Sequence, residues 1–328
     1  MNRRRILRFA IGVGVLAGAV LLWTQNAVVG MRHVGVLAPS TRANEEVILK
    51  PFFDEMHRLG WIEGQAIAYD RVYADDEQRD LPRLAAELVA RKPELIYAPP
   101  QVAARAARGA TGTIPIVFGA GTDPVGSGLV ATLARPGGNV TGVVNVVESL
   151  APKRLELLRE MLPGAKRIGL LRDPTEPLST TDRTRLALAA TTLGLTVVVV
   201  EMSSAGELDA AVAKLFGQDV DVIYASSTIT DNLRGRLIEL ANRRRLPVVG
   251  GGARMAEAGA LFTYNSSLPD KLRRSAHLVD KVLKGAKPAD LPIEQPTKFE
   301  LVINLKAAKA LGLTIPQSVL LRADEVIQ

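Results

Sequence analysis

The chain has 328 residues, 47% of them apolar and 23% charged, and no cysteine. That length and apolar content suffice for two domains with buried cores. The lack of cysteine excludes a disulfide, a thiolate nucleophile, a cysteine-bound metal and a lipid-modified cysteine. The formal charge is +7, but Arg3, Arg4, Arg5 and Arg8 are four of the 41 basic residues; without them 37 face 34 acidic residues, a mild balance that speaks against nucleic-acid binding.

Residues 1–30 read as an export segment. Arg3-Arg4-Arg5 precedes an uncharged, mostly apolar run from Phe9 to Trp23. The run is long for a signal-peptide core and short for a helix crossing about 30 Å of hydrocarbon. Gln25-Asn26-Ala27 is a poor cleavage site because Gln25 is neither small nor apolar. A signal peptide and a retained anchor therefore both stay open. Asn2-Arg3-Arg4-Arg5-Ile6-Leu7 also admits a twin-arginine reading. The location expected is periplasmic or otherwise extracytoplasmic; if the segment is not cleaved, it would be the tether.

Beyond residue 30, short β-branched runs alternate with helical periodicity, the pattern of parallel sheets with crossover helices. The first series of strands is His33–Leu37, Ala66–Tyr73, Glu94–Ala98 and Ile114–Phe118, with helices near 43–59, 77–91 and 101–109. A junction follows at Val140 to Val147, after the turn-forming Pro136-Gly137-Gly138-Asn139. The second series is Arg167–Leu171, Thr196–Glu201, Asp221–Ala225 and Leu246–Val249, with helices near 177–193, 205–217 and 229–244. Strand Ala260–Tyr264, a helix near 269–284 and a tail from about 295 complete the chain. The reading is α/β, with two doubly wound halves.

Ligands of open α/β sheets bind beyond the carboxyl ends of the strands, where helix N-termini offer unpaired N–H groups. In the first half those positions hold Ser40, Thr41, Gln101, Thr122, Asp123 and, at the junction, Asn145. In the second half they hold Asp173, Thr175, Ser227, Thr228 and Tyr264. Each taken alone is explained by helix capping. Together they make two facing walls for a small solute, Ser40, Asp123 and Asn145 on one and Thr228 and Tyr264 on the other.

Enzyme motifs are missing. There is no Gly-x-Ser-x-Gly elbow, and no glycine fingerprint follows the first strand, where Ala38-Pro39-Ser40 stands instead. His33, His57 and His277 have no metal-ligand spacing. Gly119-Ala120-Gly121 and Gly250-Gly251-Gly252 lack the lysine of a phosphate loop and read as close-approach or hinge loops. No catalytic group, metal or cofactor is expected. Aromatic residues are scarce near the strand ends, with Tyr97, Phe118, Tyr224 and Tyr264 as candidates for core or cleft. That scarcity favours an amino-acid-like or carboxylate solute over a stacked sugar. Arg254, after the second glycine loop, is a candidate partner for a carboxylate.

Several co-linear strings carry a family resemblance. They are Leu59-Gly60-Trp61-Ile62-Glu63-Gly64-Gln65, Thr113-Ile114-Pro115-Ile116-Val117-Phe118, Arg135-Pro136-Gly137-Gly138-Asn139-Val140-Thr141-Gly142-Val143, Lys153-Arg154-Leu155-Glu156-Leu157-Leu158 and, near the end, Gln295-Pro296-Thr297-Lys298-Phe299-Glu300-Leu301-Val302-Ile303-Asn304. The chain resembles the substrate-binding components of bacterial ABC transport systems related to the tryptophan- and tyrosine-binding proteins. The resemblance implies the periplasmic-binding-protein type I fold, two lobes joined by a hinge and three crossovers. It divides the chain into an export segment at 1–30, a first lobe of 31–145 plus 266–294, and a second lobe of 146–265 plus 295–328.

The function implied is a monomeric solute receptor. It would bind a small organic ligand between the lobes and deliver it to an ABC permease in the inner membrane. An exported sensory receptor of the same fold is the alternative.

Overall fold

The computed structural model describes residues 30–75, 77–145, 150–172, 177–225, 233–250 and 253–328. The segment expected to direct export lies outside them, save Gly30. No helix among the described residues is long and apolar enough to cross a membrane.

Two sheets organise the molecule. The first contains β1 (Arg32–Ala38), β2 (Ile67–Tyr73), β3 (Leu95–Tyr97), β4 (Ile116–Gly121) and β5 (Val140–Val144), all parallel, in the order β2-β1-β3-β4-β5. The second contains β6 (Arg167–Arg172), β7 (Thr196–Glu201), β8 (Val222–Ala225), β9 (Val248–Gly250), β10 (Phe262–Ser266), β11 (Phe299–Asn304) and β12 (Glu325–Ile327). Its order is β12-β11-β10-β9-β8-β6-β7, parallel except where β11 runs antiparallel to β10. The α/β reading with two doubly wound halves therefore holds.

The expected strands appear with shifts of up to three residues. The largest is at β4, expected over Ile114–Phe118 but running from Ile116 to Gly121. Pro115 has no N–H for the ladder, and the Thr111 hydroxyl draws the Thr113 and Ile114 amides into a turn instead. The helix expected over 43–59 is two helices, α1 (Arg42–Ile48) and α2 (Lys50–Arg58), because Pro51 cannot continue the hydrogen-bond ladder and begins a new helix. Then come α3 (Leu81–Ala90), α4 (Gln101–Ala110) and α5 (Ala151–Met161). The second half holds α6 (Pro177–Thr192), α7 (Leu208–Phe216), α8 (Arg234–Asn242) and α9 (Ala253–Ala258). The chain closes with α10 (Leu268–Leu283), α11 (Leu305–Ala310) and α12 (Gln317–Leu320).

Strand alternation feeds a core on each face of each sheet. On the first sheet, Leu37, Ile96 and Phe118 meet Leu84, Leu88, Ala103 and Ala107 of α3 and α4. Val34, Val36, Tyr97 and Val117 face the other way, onto Phe52 and Met56 of α2 and Leu272, Ala276 and Val279 of α10. On the second sheet, Leu170, Val222, Tyr224 and Phe262 meet Leu155, Leu158 and Leu186 of α5 and α6. Its other face packs Leu171, Ile223 and Val248 on Val212, Leu215, Leu237 and Met255. Helix α10 thus follows a strand of the second sheet and buries its apolar stripe on the first, and β11 then returns to the second.

The chain passes between the sheets three times, after β5, after β10 and before β11. These segments bond to one another. The Val144 amide donates to the Glu294 carbonyl at 2.9 Å, and the Ser267 amide donates to the Lys298 carbonyl at 3.1 Å. One glycine is required near the first crossing. Gly142 lies opposite Phe118 across β4 and β5, and a Cβ there would come within 2.4 Å of the Phe118 carbonyl oxygen.

Candidate ligand-binding site at the crossover

The carboxyl ends of the first sheet converge on the first crossover. After β1, the Thr41 hydroxyl accepts from the Asn44 amide at 3.4 Å and caps α1. The Ser40 hydroxyl accepts from the Asn44 side chain at 3.3 Å, and the Ser40 amide donates to the buried Glu45 carboxylate at 3.2 Å. Both residues are half-buried.

Gln101 clamps the loop after β4. Its Oε1 accepts from the Thr122 and Asp123 amides at 2.8 and 3.0 Å. Its Nε2 donates to the Asp123 carbonyl and the Ser127 hydroxyl at 3.1 and 3.0 Å. All four bonding positions of the amide are filled, so Gln101 shapes the loop from within the first lobe. The Asp123 carboxylate accepts from the Gly126 amide at 2.8 Å, a second local turn. The Thr122 side chain is exposed.

Asn145 ties the crossover to these strand ends. Its amide donates to the Gly121 carbonyl, and its Oδ1 accepts from the Lys271 ammonium. In the second lobe, Tyr264 of β10 is half-buried. Its carbonyl accepts from Arg154 Nε at 2.6 Å, and its ring stacks on Phe299 with centroids 6.0 Å apart and planes 26° from parallel. Ser40, Thr41, Gln101, Thr122, Asp123 and Asn145 thus share one end of the first sheet, while Tyr264 lies within β10 of the second sheet, two residues before its end. Asp173, Thr175, Ser227 and Thr228 lie outside the described residues.

Two charged residues at the crossover escaped the strand-end reading. Lys271 is 4% exposed and Arg154 is 1% exposed. Burial pushes the Lys271 ammonium down to about 8, opposed in part by the charge of Glu300. The signal for both was periodicity. Lys271 falls on the buried stripe of α10 with Leu272, Ser275, Leu278 and Val279, and Arg154 on that of α5 with Ala151, Leu155 and Leu158.

The aromatic candidates divide between core and site. Tyr97 is wholly buried, stacks on Phe52 at 3.8 Å, and bonds the Ser275 hydroxyl at 2.9 Å. Burial raises its phenol well above the usual range. Phe118 and Tyr224 are equally buried. Trp61 Nε1 donates to Asp280 at 2.8 Å, beside the amino ends of the first sheet. An open groove of about 880 Å³ lies at that end, far along the strands from the crossover. Among the described residues no group of three His, Asp or Glu is placed to hold a metal.

The sequence model of the ABC transporter substrate binding protein family matches residues 33–327. A tyrosine-binding protein of Clostridioides difficile is 31% identical over 286 residues, 86% of this chain and 81% of that protein. The structure of an ABC domain from Streptococcus pneumonia in complex with L-Trp superposes with a TM-score of 0.83, at 30% identity, covering 91% of this chain and all of the other. A leucine-binding protein of Thermotoga maritima shares the fold at 14% identity, with a TM-score of 0.60 over 86% of this chain and 87% of its own. The periplasmic-binding-protein type I architecture is therefore the fold of this chain.

Proposed function

This chain belongs to the ABC transporter substrate-binding protein family, and on that premise we propose that it is an extracytoplasmic receptor for an amino acid, captured between its lobes and delivered to a membrane permease. The observation that carries the reading is the likeness, at 30% identity over 91% of the chain, to a domain solved with L-Trp. The crossover adds chemical support. The Tyr264 and Phe299 rings are half-buried and could lie against an apolar or aromatic side chain. Asn145, Ser40 and Thr41 offer polar atoms for a backbone carboxylate or ammonium. Three linked crossings between two separately packed lobes suit closure about a hinge.

The test is calorimetry of the purified chain against the common L-amino acids, followed by solution scattering at saturation. Binding of at least one amino acid, with a fall in the radius of gyration, is expected. Binding confined to sugars or purines would remove the amino-acid reading. Saturation with no change in scattering would remove closure.

A further inference from the structure

We propose that Lys271 is the anion anchor of this receptor, its ammonium receiving a carboxylate of the bound solute at the crossover. The inference rests on the receptor reading and assigns one side chain to the ligand's acid group.

Lys271 is the fourth residue of α10 and is 4% exposed. An ammonium carries three donors. Among the described residues the one partner it has is Asn145 Oδ1, a neutral acceptor. Among the described residues no carboxylate pairs with its nitrogen, and the acidic groups named next have partners of their own. Glu300, on β11, pairs with Lys298 at 3.4 Å. Asp270, on the same helix, pairs with Arg274 at 2.8 Å. Glu294, on the third crossing, faces Arg274 and Lys281 at 3.8 and 3.6 Å. Asp123, on the loop after β4, accepts from the Gly126 amide. Among the described residues, the charge of the buried Lys271 is therefore met by a neutral amide and a distant carboxylate. Burial of an unpaired cation is costly, and buried charges in folded proteins are paired or hydrogen-bonded throughout.

A second polar group at the crossover is unmet. Ser266 is 5% exposed, and among the described residues its hydroxyl has no hydrogen-bond partner. Ser266 ends β10 and Lys271 lies in the first turn of α10, five residues further on. The place also fits. Asn145, which holds the ammonium, is bonded to Gly121 at the end of β4. That is the carboxyl end of the sheet, where open α/β folds bind ligands. The lowered ammonium value supports the assignment, because a bound carboxylate would restore the charged form.

Calorimetry and thermal shift on the whole protein test it, using the common L-amino acids, their carboxamides and short mono- and dicarboxylic acids as probes. Acids should bind and the matching amides should bind at least a hundredfold more weakly. Lys271→Gln should lose at least tenfold, with Lys271→Arg between it and wild type. Binding measured at pH 8 to 9 in two buffers of different ionisation enthalpy should show proton uptake, which Lys271→Gln abolishes. If Lys271→Gln does not fold, the acid–amide comparison and proton uptake on the wild-type protein decide alone. Equal binding of acid and amide, no proton uptake, or a panel in which no acid binds would overturn the proposal. A neutral solute that closes the lobes would remove the anchor and leave the receptor reading in place.

Discussion

Arg154 and Tyr264 are 110 residues apart in the chain, yet the Arg154 guanidinium donates to the Tyr264 carbonyl at 2.6 Å. Its Nη1 also reaches the Tyr224 hydroxyl at 3.0 Å. One wholly buried side chain therefore joins the first turn of α5 to the strands β8 and β10. Arg154→Ala should destabilise the protein by about 3 kcal/mol, since it opens a cavity and strips a bond from one buried and one part-buried acceptor. Arg154→Met fills most of the space and removes a buried charge, so its cost should be smaller. Urea unfolding measures both. An alanine variant within about 0.5 kcal/mol of wild type would show that the guanidinium carries little of the fold.

Gln101→Ala should loosen the loop from Thr122 to Ser127 without touching the hydrophobic core. It strips the acceptor from two backbone amides and two donated bonds from the loop. A loss of about 1–3 kcal/mol is expected, with faster hydrogen exchange at the Thr122 and Asp123 amides. Unchanged exchange at those two amides would contradict the clamp.

Gly142→Ala should cost about 1–3 kcal/mol or more, because the new Cβ would press on the Phe118 carbonyl and β4 and β5 would have to separate. Gly138→Ala is the control, since nothing lies within 4 Å of a Cβ there and its φ is not positive. Thermal unfolding of the pair distinguishes close approach from a general intolerance of alanine in this region.

The ligand-free protein should gain stability as pH rises from about 8 towards 10.5. Lys271 is lowered to about 8 from 10.5 by burial, so over that window the unfolded chain holds more protons than the folded one. The contribution is complete above the unfolded value and is lost as pH falls through the folded value, with a slope of up to about 1.4 kcal/mol per pH unit. Urea titrations at pH 7.5, 8.5 and 9.5 read it. Lys271→Met should flatten the trend, and an unaltered slope in that variant would assign it to another group.

Most strands were legible because their short β-branched runs and Gly or Pro boundaries are local. Helix 43–59 was misread as continuous because the apolar periodicity runs through Pro51 unbroken. Elements α5, β11 and β12 were not separated by pattern alone, since their placement depends on the return of the chain across both sheets. The position of Ser40, Thr41, Gln101, Asp123 and Asn145 at the carboxyl end of the first sheet was legible from their place after strands. Their partners were not, because Gln101 and Asp123 turn out to bond within their own loop. Lys271 and Arg154 could have been found as cations on otherwise apolar stripes, a feature that the strand-end search passes over.

The three crossings are bonded to each other through Val144, Glu294, Ser267 and Lys298. Three separate tethers would let the lobes slide, shear and twist independently. A bonded ribbon stiffens those modes and leaves bending across its width as the soft coordinate. The lobes then have one main degree of freedom, like two boards on a strip of leather. Distances between spin labels placed on α3 and α8, and on α4 and α7, should rise and fall together across all conditions, on a single line rather than over a plane.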